Sequence, residues 1–301
     1  MVSVEAAVPG NVPAVGGMRE LTPADVDALG LGWRNRCGAE DARALLASYP
    51  GRSTWLPDDR EFVLVGPWRH RPEIAVVHEL SAVRHGEALL AGVAERCRAA
   101  GDALVLVIEL DETRRPSFYA RAGFDPIEEV ITYELERPGT AQVPGPLRFA
   151  PVEPGDAAGV AELVRLDRAA FPWLWRNSED EFAAYLRTPG VEVYLGRLDD
   201  DSRVAYVGVT SYNGWGHLDR IAVDPRLQGQ GLGRQALAFA TATLARRRAR
   251  RIGLSTQREN VRSQRLYEGF GFRRSRLNDY RLYGAVLRDS VSVGALASGD
   301  G

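Results

Sequence analysis

A run of alternating glycines between a strand pattern and a helix pattern constrains this chain more than any other feature. The run spans residues 226–234 (RLQGQGLGR), with an apolar strand pattern at 217–225 and an apolar helix pattern at 235–244. Glycine adopts backbone dihedrals that are closed to other residues and lets the main chain approach a ligand closely. The helix that follows directs unpaired N–H groups and its positive dipole end at that ligand. The pattern therefore predicts an anion socket for a phosphate-bearing ligand.

The spacing of the glycines separates this run from two familiar phosphate loops. A P-loop ends in Gly-Lys-Ser or Gly-Lys-Thr, and the chain contains no lysine. A dinucleotide fingerprint has Gly-x-Gly-x-x-Gly and an acidic residue about 20 residues later, whereas Gly229, Gly231 and Gly233 alternate. The sequence therefore favours a phosphate ligand held by a different kind of loop.

A second strand and helix follow the glycine run. Residues 251–257 read as a short strand, and the next helix begins at Asn260, a residue type preferred at N-caps. The segment 269–271, which contains two glycines, ends that helix. Asn260, Ser263 and Tyr267 stand three and four positions apart, so they share one face of the helix.

The two motifs together resemble the GNAT acyltransferase superfamily, whose glycine loop grips the pyrophosphate of acetyl-CoA. The loop pattern is Gln228-x-x-Gly231-x-Gly233, and the later helix ends in LYEGFGF at residues 266–272. The resemblance implies acetyl-CoA as the acyl donor and direct attack of an amine on its thioester. It assigns the pantetheine arm and the thioester oxygen to the main chain of Ile221, Ala222 and Val223, the pyrophosphate to Gln228, Gly229, Gln230, Gly231, Leu232, Gly233 and Arg234, and further pantetheine contacts to Asn260 and Ser263.

Three side chains are candidates for the proton transfers of such a reaction. Alternate residues of a strand face one side, so His217 and Asp219 point together, on the strand where some members of the superfamily carry a base. The alternative for Asp219 is an ion pair with an arginine. The resemblance makes Tyr267 the acid that protonates the thiolate, for which a phenol with the ordinary pKa of about 10 is competent. Its alternative is a core tyrosine. Acetyltransferases of ribosomal-protein N-termini carry a glutamate where this chain has Ser255, so their mechanism does not transfer directly.

Aromatic residues are candidates for the acceptor pocket, which the superfamily builds largely from its early helices. Phe171, Trp173 and Trp175 lie within five residues of one another, and Tyr212 lies in a turn before the predicted strand. A capping box predicts the next helix over 179–187. Ordinary packing beneath the sheet is the alternative for these aromatic side chains.

The second half of the chain repeats the first. The patterns at 103–109 and 117–124 return at 252–257 and 266–272, which places Tyr119 in the position of Tyr267. We predict two tandem α/β domains with mixed sheets, in an arrangement that resembles the mycothiol synthases, whose C-terminal half is the active one. The predicted divisions are a loose tail at 1–14, a degenerate GNAT-like domain at 15–137, a linker at 138–146, a catalytic GNAT domain at 147–289 and a loose tail at 290–301.

The first copy lacks the glycine run. It has SAVRHG at residues 81–86, so Val83 or Arg84 stands in the position of Gly231. A side chain there should fill the space that a pyrophosphate needs. We therefore expect the first domain not to hold CoA in the same way and to persist as a partner that shapes the active cleft.

The composition narrows the function classes. A net charge of −2 gives no electrostatic reason to bind nucleic acid or membrane, and no apolar run reaches membrane-spanning length. Two cysteines and four histidines without ligand spacing predict neither a disulfide framework nor a metal site, as in a cytoplasmic protein. We expect an N-acetyltransferase, monomeric or homodimeric, that acts on the primary amine of a small metabolite, an antibiotic or a peptide N-terminus. The alternative is a non-catalytic acyl-CoA-binding regulatory protein.

Overall fold

The computed structural model describes residues 15–32, 35–110, 114–140 and 143–288. The predicted tails and part of the predicted linker lie outside the described residues. The described residues fall into two compact units, one formed by 15–128 with 280–288 and the other by 129–279.

The first unit has a central sheet with helices in the connections. Its elements in chain order are β1 (Arg19–Glu20), a 3₁₀ helix (Pro23–Ala28), α1 (Ala39–Ser48), β2 (Thr54–Leu56), β3 (Glu61–Trp68), β4 (Arg71–Ser81), α2 (Gly86–Ala99), β5 (Leu104–Glu109), α3 (Pro116–Arg121) and the start of β6 (Asp125–Glu136).

The second unit repeats this order with one more α-helix and one more 3₁₀ helix. After the rest of β6 come β7 (Arg148–Pro151), α4 (Ala157–Ala170), a 3₁₀ helix (Trp173–Trp175), α5 (Glu179–Arg187), β8 (Val191–Arg197), β9 (Arg203–Tyr212), β10 (Trp215–Val223), a 3₁₀ helix (Pro225–Leu227), α6 (Leu232–Arg246), β11 (Arg251–Gln257), α7 (Val261–Phe270) and β12 (Arg273–Val286).

Each unit contains a mixed sheet, as the sequence predicts. The strand order is β1-β2-β3-β4-β5-β12 in the first unit and β6-β11-β10-β9-β8-β7 in the second. Within each order one pair is parallel, β4 with β5 and β10 with β11, and the helix that precedes the second strand of each pair makes the crossover. The other pairs with a determined register are antiparallel.

The compact units do not follow the predicted divisions of the chain at 137 and 147. Residues 130–136 of β6 pair with β11 in the second unit, although the repeat assigns them to the first copy. Residues 281–286 of β12 pair with β5 in the first unit, although the repeat assigns them to the second copy. The last strand of each copy therefore adds to the sheet of the other unit.

Helices cover both faces of the second unit's sheet. Tyr206 and Val207 are neighbours on β9, and consecutive residues of a strand face opposite sides. Tyr206 packs in a core cluster with α4 and α5, and Val207 packs in another with α6 and α7. Residues of β9 and β10 that face α4 and α5 are therefore separated by the sheet from residues that face α6 and α7.

No helix in the described ranges combines the length and the apolar run that crossing a bilayer requires. Among the same residues, no group of three or more His, Cys, Asp and Glu side chains has the arrangement of a metal site.

Candidate active site

Strands β10 and β11 separate in the middle of the second unit. Their parallel register runs only from Trp215↔Arg251 to Leu218↔Leu254. On its other edge β10 stays paired with β9 as far as Val223, after a β-bulge at Asp219. A bulge bends its strand and redirects the main chain. The segment 219–223 therefore leaves the β11 ladder, and its main chain can pair with an extended ligand inserted between the two strands.

The predicted anion socket lies at the end of β10. Gly229 and Gly231 both have φ of 84°, and a Cβ atom added to either would meet no atom within 4 Å. Glycine is favoured at these two positions because of the backbone conformation, since the space that a side chain would enter is open. Within the described residues, the five consecutive main-chain N–H groups from Gly229 to Gly233 have no hydrogen-bond acceptor. Gly231 is the N-cap of α6 without a side-chain cap, so the start of this helix is open to an anion.

Two arginines beside the socket are exposed. Arg226 forms an ion pair of 2.7 Å with Asp224, the residue that caps the 3₁₀ helix before the glycines. Arg234 lies in the first turn of α6, and within the described part of the chain no ion pair engages it. Its charge is therefore available to a phosphate.

Gln228 connects the strand to α7. Its Nε2 donates to the Val223 carbonyl at 3.1 Å, and its Oε1 accepts a hydrogen bond from Arg262. The prediction placed Gln228 among the pyrophosphate contacts. Its side chain is instead committed to holding the end of β10 against the start of α7, which fixes the mouth of the gap between β10 and β11.

Helix α7 begins as predicted. The Asn260 side chain accepts a hydrogen bond from the Ser263 N–H at 3.1 Å, as an N-cap does. Gly271, with φ of 105°, is the left-handed residue that ends the helix, whereas Gly269 lies inside it. The carboxamide oxygen of Asn260 is thus engaged by its own helix, and its NH₂ group keeps its donor capacity.

Tyr267 is buried on the α6–α7 side of the sheet. Its ring lies 6.1 Å from that of Tyr133 and 6.0 Å from that of Phe272, and only 4% of the residue is exposed. Burial raises the pKa of its hydroxyl to about 12, against a smaller opposite effect from a hydrogen bond with Ser263. The expectation of an ordinary pKa near 10 is therefore wrong, because removal of water disfavours the phenolate.

His217 and Asp219 do point together. Asp219 Oδ1 lies 2.7 Å from His217 Nδ1. Asp219 Oδ2 accepts a hydrogen bond from Thr210 Oγ1 at 2.6 Å and another from the Tyr185 hydroxyl. Within the described residues Asp219 has no arginine partner, so the ion-pair alternative is wrong. The carboxylate is anchored by two hydroxyls and in turn orients the imidazole, which is about half exposed.

These proton-transfer candidates lie on opposite faces of the sheet. Asp219 bonds to Tyr185 of α5, on the α4–α5 side. Leu218, its neighbour in β10, packs in the same cluster as Tyr267, on the α6–α7 side. A group held in the gap between β10 and β11 would therefore meet the His217–Asp219 pair from one side and Tyr267 from the other.

A buried ion pair fixes the aromatic segment before α5. Arg220 pairs with Asp167 of α4, donates to the Trp175 carbonyl at 3.0 Å and lies 3.7 Å from the ring centroid of Phe171. Of the predicted acceptor residues, Trp175 is buried and Phe171 packs against Arg220, whereas Trp173 is half-buried. Phe171 and Trp175 thus have the packing roles that were the alternative in the sequence.

The remaining predicted acceptor residue lies in the open. Tyr212 is 74% exposed at the end of β9, opposite Trp215. It stands two residues from Thr210, and Trp215 stands two residues from His217, so both aromatic side chains are on the face of the base. The structure therefore groups Tyr212 with His217 and Asp219, but it does not group Phe171 and Trp175 with an open cleft.

Residues 160–272 match the model of the Acetyltransferase (GNAT) family. The chain contains a GNAT acetyltransferase domain. A mycothiol acetyltransferase from Kineococcus radiotolerans is 34% identical over 203 residues, which cover 64% of this chain and 65% of that protein. The match therefore spans slightly less than two thirds of that relative.

Solved structures share the fold over most of the chain. A GCN5-related N-acetyltransferase from Sphaerobacter thermophilus superposes with a TM-score of 0.60 at 16% identity, covering 93% of this chain and 98% of the other. A tandem GNAT protein from the clavulanic acid biosynthesis pathway gives 0.53 at 14% identity, covering 91% and 99%. The tandem arrangement inferred from the repeat is thus an arrangement of known GNAT proteins.

Sequence reasoning missed two side chains of the GNAT domain, Tyr185 and Thr210. Both act on Asp219 across long or irregular separations, so no motif spacing connects them. One weak signal existed: Gly208 interrupts an apolar strand, and a Cβ there would lie 2.8 Å from the Tyr185 hydroxyl. A glycine inside a strand marks close approach of another group, and here it makes room for Tyr185.

The loop of the first unit differs from its expected form. Val83 is 95% exposed and the Arg84 side chain is also exposed, so both point away from the core. The main-chain N–H groups of Val83, Arg84 and His85 instead donate to the carboxylate of Glu61. The first copy is closed at its loop by an internal anion.

Proposed function

We propose that this chain is an acetyl-CoA-dependent N-acetyltransferase that moves an acetyl group to a primary amine. The five consecutive N–H groups of Gly229–Gly233, to which the described residues offer no acceptor, carry the proposal, and they lie at the end of a strand that separates from its neighbour. An oxygen-rich diphosphate satisfies such a row of donors, and the adjoining gap accepts a narrow, extended arm. Phosphate binding and strand separation together favour a CoA thioester over a free phosphate.

Binding of the acyl donor would use mostly main-chain groups. The glycine loop and Arg234 would hold the diphosphate, and residues 221–223 would pair with the pantetheine amides at the free edge of β10. A main-chain N–H at this edge would also face the thioester oxygen and stabilise the oxyanion. Gln228 would act indirectly, since its contact with the Val223 carbonyl keeps the end of the strand in place.

His217 is the general base in this proposal, and Asp219 is its positioning residue. Asp219 holds Nδ1 of the ring, so Nε2 is free to accept the proton of the attacking amine. The carboxylate is less suited to the role of base, because Tyr185 and Thr210 already donate to one of its oxygens. The arrangement follows the general rule that a base is oriented by a third group.

Tyr267 serves the leaving group from the opposite face. A phenol with a pKa of about 12 is a weaker acid than a typical thiol, whose pKa is about 8.5. Tyr267 therefore keeps its proton at neutral pH and donates a hydrogen bond as negative charge develops on sulfur. Desolvation in the closed gap raises the basicity of the thiolate, and this rise allows the proton to transfer from Tyr267 to the sulfur.

The acceptor amine would enter on the α4–α5 side. His217 is exposed there, and Trp215 and Tyr212 continue the same face away from the glycine loop. The approach along this face is open because the diphosphate is held at the other end of β10. A small metabolite, an antibiotic and a peptide N-terminus all present an amine that fits this geometry.

An amine-panel assay tests the proposal. Purified protein is incubated with acetyl-CoA and each amine, free thiol is measured, and mass spectrometry locates the acetylated nitrogen. His217→Gln is the matched variant, because it removes the base and leaves the socket intact. Turnover with an amine that drops in this variant supports the proposal. Tight CoA binding without turnover for any amine, unchanged in the variant, would favour an acyl-CoA-binding regulatory protein.

A further inference from the structure

Three consecutive main-chain N–H groups in the first unit converge on one side chain. Val83 and Arg84 donate to Glu61 Oε1 at 2.8 and 2.7 Å, and His85 donates to Glu61 Oε2 at 2.8 Å. Glu61 is only 4% exposed. Burial alone would raise the pKa of its carboxyl, but the three hydrogen bonds outweigh burial and lower it. A buried, ionised carboxylate with this set of donors is a bound anion that belongs to the chain itself.

The loop around Glu61 stands in the same place as the glycine loop of the second unit. It connects β4 to α2, as the glycine loop connects β10 to α6. The strand before each loop has a shift in its pairing register. In β4 the pairing with β3 shifts between Val77 and Glu79, and in β10 the pairing with β9 shifts between Leu218 and Arg220. Both pair in parallel with the next strand over only four residues. The two loops are therefore equivalent connections in the two units, and the loop of the first unit is shorter by four residues.

The registers also identify the residue that replaces Glu61 in the second unit. In the first unit Leu64 lies opposite Glu79, and in the second unit Gly208 lies opposite Arg220. Counting back three residues along each strand sets Glu61 in the position of Ala205. Ala205 is fully buried and packs in a cluster with Val223 and Leu232, directly beneath the glycine loop. The position that holds a carboxylate in one unit thus holds a methyl group in the other.

We infer that the loop of the first unit is an anion socket in which Glu61 occupies the place of a phosphate group, so that this unit takes no diphosphate while Glu61 is present. A second anion would have to enter beside a buried negative charge and would find the three donors already used. Asp59 gives the loop separate support, since it lies 3.5 Å from Arg84 and 3.3 Å from His85. The loop can therefore keep its form when the carboxylate of Glu61 is removed.

The test removes the internal anion and offers an external one. In the full-length chain, Glu61→Ala installs the residue type of the second unit, and inorganic pyrophosphate is the probe. Amide resonances of residues 83–85 are followed by NMR. We expect saturable shifts in the variant and none in the wild type at the same pyrophosphate concentrations. The affinity of the variant for pyrophosphate should be at least about tenfold higher, which is the gain that one or two charge-assisted hydrogen bonds give. A folded variant whose 83–85 amides do not respond, or a wild type whose amides respond equally, overturns the inference.

Two further variants keep the result decisive. Glu61→Gln preserves the shape of the side chain and removes its charge, so it should also admit pyrophosphate, more weakly; if Glu61→Ala does not fold, an unresponsive loop in this variant overturns the inference. Ala205→Glu is the reciprocal change and should abolish CoA binding at the glycine loop. Amides 229–233 report on the second unit in every sample. In the samples that keep Ala205, their failure to respond to CoA would count against the proposed function alone, since the first unit is read from different resonances.

Discussion

Replacement of Gly231 by alanine separates two reasons for a glycine at that position, the left-handed backbone and the space that the ligand would need. The residue has φ of 84° and no atom within 4 Å of an added Cβ, so the new methyl group meets no protein atom. The cost to folding is therefore the left-handed backbone alone, about 1–2 kcal/mol. For a chain of this size, each kcal/mol corresponds to a fall in Tm of about 2–4 °C.

The effect on ligand binding should be larger than the effect on stability. The methyl group enters the open space where the diphosphate would lie, and it displaces the ligand from the N–H groups of Gly231 and Leu232. Hydrogen bonds to charged groups contribute about 1.5–3 kcal/mol each. Loss of two gives about 3–6 kcal/mol, which is more than a hundredfold in Kd for CoA.

Gly155→Ala is the matched control. Gly155 has φ of 91°, has no atom within 4 Å of an added Cβ and lies in the turn before α4. Both variants should lose a similar amount of Tm in thermal scans, and only Gly231→Ala should lose CoA affinity in titration calorimetry. If Gly231→Ala binds CoA within about twofold of the wild type, the amides of the glycine loop do not hold the diphosphate.

Three further predictions concern the side chains of the site and their support. Tyr267→Phe should lower kcat more than it raises KM for acetyl-CoA. Because the folded pKa of Tyr267 is about 12 and the unfolded value about 10, its contribution to stability is complete below pH 10 and is lost as the pH rises to 12; the variant should flatten that decline in urea titrations. His217→Gln should lower kcat by about 10²–10⁴-fold, and adding Asp219→Asn should lower it little further because the two act as a unit; additive losses in steady-state rates would contradict this. Arg220→Met should reduce the free energy of unfolding by about 3–5 kcal/mol, since it leaves the buried Asp167 charge unpaired; partial recovery with Asp167→Asn, which removes the charge and keeps an acceptor for the Asn177 N–H, is the check.

Local signals in the sequence predicted much of the GNAT domain. Strand β11 has the predicted bounds 251–257, and helix α5 has the predicted bounds 179–187 with Ser178 accepting from the Glu181 N–H at 3.0 Å. The glycine loop and the Asn260 cap also agree with the sequence. Each of these depends on residues within a few positions of one another, so neighbouring side chains and backbone preferences suffice to specify it.

The surroundings of the predicted acceptor residues could not be read from the sequence, for a physical reason. The aromatic cluster at 171–175 carries no mark that distinguishes a pocket wall from a packed segment. Arg220, which is far along the chain, decides between them by pairing with Asp167 and lying against Phe171. Its buried charge needs these partners, and the segment is therefore drawn into the core.

The sequence by itself determined that a glycine loop joins a strand to a helix, that Tyr267 follows on a capped helix, and that the second half of the chain repeats the first. Only the tertiary structure decided which strand closes which unit, which hydroxyls anchor Asp219, how far burial shifts the pKa of Tyr267, and that Glu61 occupies the loop of the first copy. Main-chain conformation is set by near neighbours, whereas desolvation and hydrogen-bond partnership depend on residues that only the folded sheet brings together.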